Sequence, residues 1–234
     1  MARYYNTAMS PMAILRFAPL GDQAVLVHAA DEADALAFTA AVRQQSCAWA
    51  EDVVQAYTSV AVFYRADMID YFAAAAELGR LDWQRLRSVA AGRLHVIPCC
   101  YELGLDLERV SRHTRLTDEQ IVAAHSAAVY TVYAIGFCPG FPYLGYLPEN
   151  LTGVPRLETP RLKVDSGSVG LTGPQTGIYT EARPGGWNII GRTPLELVNV
   201  AEGYFPIRTG DRVQFERIDK RTFDKRLGER LAAE

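Results

Sequence analysis

The stretch GFCPGFPYLGYLP, residues 136–148, packs three prolines, three glycines and four aromatic rings into thirteen residues. Proline removes a backbone donor and fixes φ, so the stretch is neither a helix nor a central strand. It is also too apolar for a solvated loop. It reads as a stiff, glycine-jointed loop, and the chain changes texture across it.

On its N-terminal side the pattern is mixed. AILRFAPLGDQAVLVHA reads as two extended runs around a Pro-Leu-Gly-Asp turn, residues 32–47 carry helical spacing, and VVQAYTSVAVFY reads as strand. MIDYFAAAAELGRLDWQRLRSVAAG is helical, with breaks expected at Gly79 and Gly92. Strand RLHVIPCCY and two helices follow, one over Asp106–Arg112 and one opened by the capping box Thr117–Gln120, which would place Ile121, His125, Val129 and Val132 on one face. After the loop, SVGLTG, GIYTEA, WNIIGRT and DRVQFERI are short runs punctuated by Gly, Pro and Asn, the signature of a closed β-barrel or sandwich. The expected division is a disordered tail over 1–13, an α+β domain over 14–95, a β domain over 96–220 and a charged, solvated tail over 221–234.

At 234 residues, 49% apolar, 22% charged and a net charge of −3, the chain is an ordinary globular protein with no basic stripe for nucleic acid. Arg80–Arg93 reads as a solvated helix face. The longest apolar run, Tyr71–Ala76, is too short to span a bilayer, and no signal core is visible at the N-terminus. Cys47, Cys99, Cys100 and Cys138 match no zinc or redox spacing, so a reducing cytoplasm and no metal site are expected.

No P-loop, GxGxxG cradle or HExxH motif occurs. SGSVG, Ser166–Gly170, has Ser where a nucleophile elbow has Gly, and it reads as a strand turn. His125 is open to two readings: a core histidine held by a hydrogen bond, or a proton-transfer group beside the Pro/Gly loop. PRLETPRLKVDSGS, GPQTGIY and PGGWNIIGRTP supply a second constellation. Arg161 and Arg192 are candidate anion contacts, Gln175 and Thr176 candidate amide contacts, and Tyr179 and Trp187 candidate cleft walls. Phe137, Phe141 and Tyr143 are candidate anchors for a partner, or else plugs of the barrel base.

FAPLGDQAVLV (17–27), IPCCYELGLDLERV (97–110), the Thr117–His125 segment, the Pro/Gly loop, PRLETPRLKVDSGSVGLTG, QTGIY and PGGWNIIGRTPLEL resemble the KipI family in content and order. That family is also described as the B subunit of bacterial 5-oxoprolinase, formerly allophanate hydrolase subunit 1. The resemblance runs from about residue 14 to about residue 218. It implies an α+β domain followed by a cyclophilin-like β-barrel. It also implies a complex with a KipA-like C subunit and with an A subunit, which opens the lactam ring of 5-oxoproline to give glutamate. ATP would be used by the complex and not bound through a motif in this chain, which alone would be inactive. Alternatives within the family are inhibition of a sensor histidine kinase and half of a urea-carboxylase carboxyltransferase; prolyl isomerase activity ranks last. The family's usual Val-Pro-Ala-Gly-Ser is here Val164-Asp165-Ser166-Gly167-Ser168, and its Gly-Gly-Glu-Phe-Gly is shortened to Glu102-Leu103-Gly104.

Overall fold

The computed structural model describes residues 15–87 and 92–231. The expected N-terminal tail, the 88–91 part of the expected second helix and the last three residues of the expected C-terminal tail lie outside them. The chain divides into two compact units, the first ending at Val89 and the second beginning at Ala90.

The first unit runs β1 (Arg16–Pro19), β2 (Ala24–His28), α1 (Glu32–Gln45), β3 (Ala50–Ala56), β4 (Ser59–Tyr64) and α2 (Tyr71–Leu78). Its strands pair antiparallel in the order β1-β2-β4-β3. The Pro-Leu-Gly-Asp turn closes the first hairpin, with Gly21 at φ +64°. Alternation in β4 sends Val60, Val62 and Tyr64 inward. There they meet Phe38 and Val42 of α1, Ala74 and Leu78 of α2, and Trp49 and Trp83. Both helices start on an aspartate: Asp31 accepts from the Asp34 N–H and Asp70 from the Ala73 N–H, each at 2.8 Å. The helix expected to continue past Gly79 stops there, and a single 3₁₀ turn over Gln84–Leu86 follows. Arg87, one of the expected solvated arginines, instead bridges Asp31 and the buried Asp34.

The second unit runs β5 (Leu94–Cys99), α3 (Leu107–Thr114), α4 (Asp118–Ala127), β6 (Val129–Ile135), β7 (Pro142–Gly145), β8 (Arg161–Val164), β9 (Ser168–Thr172), β10 (Gln175–Ile178), β11 (Arg183–Gly185), β12 (Asn188–Arg192), β13 (Arg212–Arg217) and α5 (Lys220–Lys225). Seven of its strands follow the order β5-β13-β6-β7-β10-β9-β12, antiparallel except β5 with β13, and β8 with β11 forms a separate ribbon. α4 lays Ile121, Val122 and His125 into the core beside Tyr130, Val132, Leu144, Leu171 and Phe215. The capping box is present, Thr117 and Gln120 each accepting the other's backbone N–H.

Three expectations are corrected. The helical face does not extend to Val129 and Val132: α4 ends at Ala127, and the β-branched and aromatic run that follows becomes β6. The barrel is not closed by a ladder. The edge strands β5 and β12 meet through one bridge just beyond β5, where Cys100 and Arg192 exchange N–H···O bonds of 2.8 and 3.0 Å. A register shift between Ile189 and Gly191 bends β12 and ends its regular pairing. The C-terminal segment is not simply solvated: Phe223 of α5 is buried, and Arg230 forks to Glu196 and Glu202 while lying over the Tyr204 ring.

The capping box closes two otherwise orphaned donors of α4. Thr117→Ala is expected to lower stability by about 1 kcal/mol, and Thr117→Ser to restore most of it, in urea-unfolding curves.

Candidate functional site

The Pro/Gly loop is a tight knot. Gly136 donates to the Phe141 carbonyl at 3.2 Å, Cys138 to that of Gly136 at 2.7 Å and Phe141 to that of Cys138 at 3.1 Å. Thr180 ties it to the sheet by donating to the Pro139 carbonyl at 2.7 Å. Gly140 is required twice over: its φ is +69°, and a Cβ there would stand 2.3 Å from a Val198 methyl.

From this knot Phe141 projects into a cluster of rings. Its centroid lies 4.9 Å from Tyr143, 5.3 Å from Tyr179, 5.4 Å from Phe137 and 5.5 Å from Trp187, all edge-to-face. Two more glycines make room. A Cβ on Gly177 would come within 3.0 Å of both the Phe141 and Trp187 rings, and one on Gly185 within 2.3 Å of the Tyr179 hydroxyl. Phe141 is 1% exposed, so it is an internal plug and not the partner anchor expected of it. Phe137 is 58% exposed and is held at φ +66°, a strained conformation for a bulky side chain. Tyr143 is half-buried. Burial pushes the Tyr143 and Tyr179 phenols above their ordinary pKa, and the Arg156 guanidinium pulls both back.

The other expected site residues do not join this cluster. His125 is fully buried, its Nδ1 2.7 Å from the Tyr101 hydroxyl and its Nε2 2.9 Å from Thr176 Oγ1. Thr176 gives its one hydroxyl proton to the Gly170 carbonyl, so Nε2 donates to Thr176 and Nδ1 accepts from Tyr101. The imidazole is therefore a neutral pin between α4 and β10, and burial drops its pKa to about 3. With both nitrogens engaged inside the core, it has no route to a substrate proton, which corrects the proton-transfer reading. Thr176 is spent in the same chain and is no amide contact.

Arg161 pairs with Asp106 at 2.6 Å, and Asp106 also accepts the Ile189 N–H at 2.7 Å, so this arginine fastens β8 to β12 instead of awaiting an anion. Arg192 donates to the Ser166 carbonyl at 2.8 Å and leans toward Asp165 at 3.7 Å, bracing the turn before β9. Gln175 is half-buried at the start of β10, paired in register with Gly145 and Thr172. Ser168 is buried on β9 after a turn at Gly167 with φ +82°, and no helix follows, as expected of a strand turn. Of the residues singled out, only Tyr179, Trp187 and the three loop aromatics converge.

Two further participants carry no motif that would mark them in the sequence. Asn188, fully buried, donates to the Pro155 and Leu171 carbonyls and accepts from Arg109 at 2.9 Å, holding the 155–157 segment on β12. Arg156 follows a proline just as Arg161 does, and only the structure separates the paired arginine from the unpaired one. In the first unit a hollow of about 430 Å³ is lined by Gln45, Cys47, Glu77, Arg80, Asp82 and Arg85. Its charged groups are in part committed, Glu77 to Trp49 and Arg85 to Asp82, and burial raises the Cys47 thiol pKa. Among the described residues no group of His, Cys, Asp and Glu is arranged for a metal, and no helix is long and apolar enough to cross a membrane.

The carboxyltransferase domain family, subdomain C and D, matches residues 15–204. The 5-oxoprolinase B subunit of Bacillus subtilis (strain 168) is 34% identical over 226 residues, covering 87% of this chain and 93% of that protein. That of Escherichia coli O157:H7 is 50% identical over 113 residues, 48% of this chain and 51% of that protein. Among solved structures, TTHA0988 superposes with a TM-score of 0.74 at 31% identity over 85% of this chain, which spans only 40% of that longer polypeptide.

Two outcomes are expected. Phe141→Ala costs about 3–5 kcal/mol in unfolding free energy, whereas Phe137→Ala, at an exposed ring, costs under about 1 kcal/mol. His125 is neutral when folded but protonates near pH 6.5 when unfolded. Its contribution is therefore whole above that pH and is lost as pH falls toward 3. The stability gap between the wild type and His125→Gln should be flat above pH 6.5 and change by about 1 kcal/mol per pH unit below it, in urea titrations at stepped pH.

Proposed function

We propose, for a chain that belongs to the 5-oxoprolinase B-subunit family and carries carboxyltransferase subdomains C and D, that it is the non-ATP-binding subunit of an ATP-dependent 5-oxoprolinase. The reaction opens a lactam, a resonance-stabilised amide, to give glutamate. The ATP is bound on another chain, in keeping with a sequence that has no phosphate-cradling loop. The partners are a KipA-like C subunit and an A subunit, and the substrate site is shared with the former. The observation that carries this reading is 34% identity sustained across 93% of a 5-oxoprolinase B subunit.

Two features of the second unit support a shared site. Its aromatic cluster ends at an exposed, strained Phe137, a costly arrangement for a ring left in water. Its own polar side chains form no nucleophile–base pair: His125 is locked in the core and Ser168 has no histidine beside it. The chain's contribution is then to bind and orient, and the partner chain's is to complete the chemistry.

The reconstituted three-subunit complex should release glutamate from 5-oxoproline only with ATP, and this chain alone should release none. Absence of glutamate from a fully assembled complex overturns the proposal.

A further inference from the structure

Most guanidinium groups of the second unit are already committed. Arg161 is held by Asp106, Arg183 by Glu181, Arg217 by Glu119, Arg230 by Glu196 and Glu202, and Arg192 by the Ser166 carbonyl. Arg156 differs: its side chain is exposed and makes no ion pair or hydrogen bond among the described residues. Its backbone, by contrast, is firmly placed. The Pro155 carbonyl accepts from Asn188 at 3.0 Å, the Arg156 carbonyl from Arg109 at 3.5 Å, and Leu157 donates to Gly186 at 2.8 Å. Arg156 therefore sits against the turn that carries Trp187.

Other unspent donors belong to the same cluster. The Tyr143 hydroxyl and the Trp187 indole N–H have no hydrogen-bond partner among the described residues. Both phenols feel the Arg156 charge, which places the guanidinium within electrostatic reach of Tyr143 and Tyr179. The Tyr143 and Trp187 rings stand 5.8 Å apart. A lone cation, free phenol and indole donors, and an apolar floor form one patch on a rigid support.

We propose that Arg156, with Tyr143 and Trp187, is the receptor for the carboxylate of a small monocarboxylic acid whose compact amide ring lies on the aromatic floor. A single planar fork matches one carboxylate, and the low-polarity wall beside it strengthens the pairing. A phosphoryl group would call for further cations or a nest of backbone N–H groups, and none faces this patch among the described residues. The inference rests on the proposed function only for its choice of acid, 5-oxoproline.

Equilibrium dialysis of labelled 5-oxoproline, against this chain alone and against the assembled complex without ATP, tests it. Saturable binding is expected, weakened at least tenfold by Arg156→Ala, partly recovered by Arg156→Lys and weakened several-fold by Tyr143→Phe. Excess 2-pyrrolidinone, the same ring without the carboxylate, should compete poorly. In the working complex Arg156→Ala should raise KM with much less effect on kcat. Equal binding by wild type and Arg156→Ala, or no saturable binding to either preparation, overturns the inference. Glutamate release with no dependence on Arg156 would leave the proposed function standing and this site refuted. Arg156-dependent binding with no glutamate release would do the reverse.

Discussion

The packing of Phe141 is the constraint on which the second unit's surface depends. Four aromatic rings reach this side chain edge-to-face from the Pro/Gly loop, from β7, from the end of β10 and from the turn before β12. Rings that close on one another need neighbours that give way, and Gly140, Gly177 and Gly185 are those neighbours. Prolines at 139 and 142 remove alternative backbone conformations, so the loop has little freedom to lose when the ring docks. The residues flanking Phe141 are accordingly presented in a fixed arrangement, with Phe137 outward and Tyr143 at the half-buried margin.

Beneath that surface a second constraint works in polar terms. Tyr101, His125, Thr176 and the Gly170 carbonyl form a chain of hydrogen bonds that crosses from α4 to β10 and β9. Each donor and acceptor is used, which is what allows such a chain to lie in an apolar core at all. The same chain fixes Thr176, and so β10 and the neighbouring Gly177 against Phe141 and Trp187. The histidine thus serves the candidate site by locating a strand and not by moving a proton.

Much of the fold was legible in the sequence. The hairpin at Gly21, the aspartate and threonine caps, the alternation of β4 and the switch to short strands after the Pro/Gly loop all follow local rules that tertiary contacts did not overrule. Val129 and Val132 misled because an apolar spacing of three or four fits a helix, while β-branching favours a strand and here prevailed. The site was harder to read. Residue types announced guanidinium and aromatic chemistry, but pairing is a property of space. Asp106, fifty-five residues from Arg161, takes that arginine's charge, and nothing near Arg156 in sequence shows that its own charge is left over. His125 was ambiguous for the same reason: its partners come from Tyr101 and from a threonine fifty-one residues onward.

The meeting of Cys100 with Arg192 gives the seven-strand sheet an unequal mechanical character. Every other neighbouring pair along its order shares a ladder of several residues, whereas the two ends are stitched by two peptide hydrogen bonds. Gly191 lets the stitch form, since a methyl there would press on the Cys99 sulfur at 2.6 Å. A sheet joined in this way parts along its seam before any ladder yields. Those two amides are where deuterium would enter first, and where a change at Gly191 would be felt across the whole sheet.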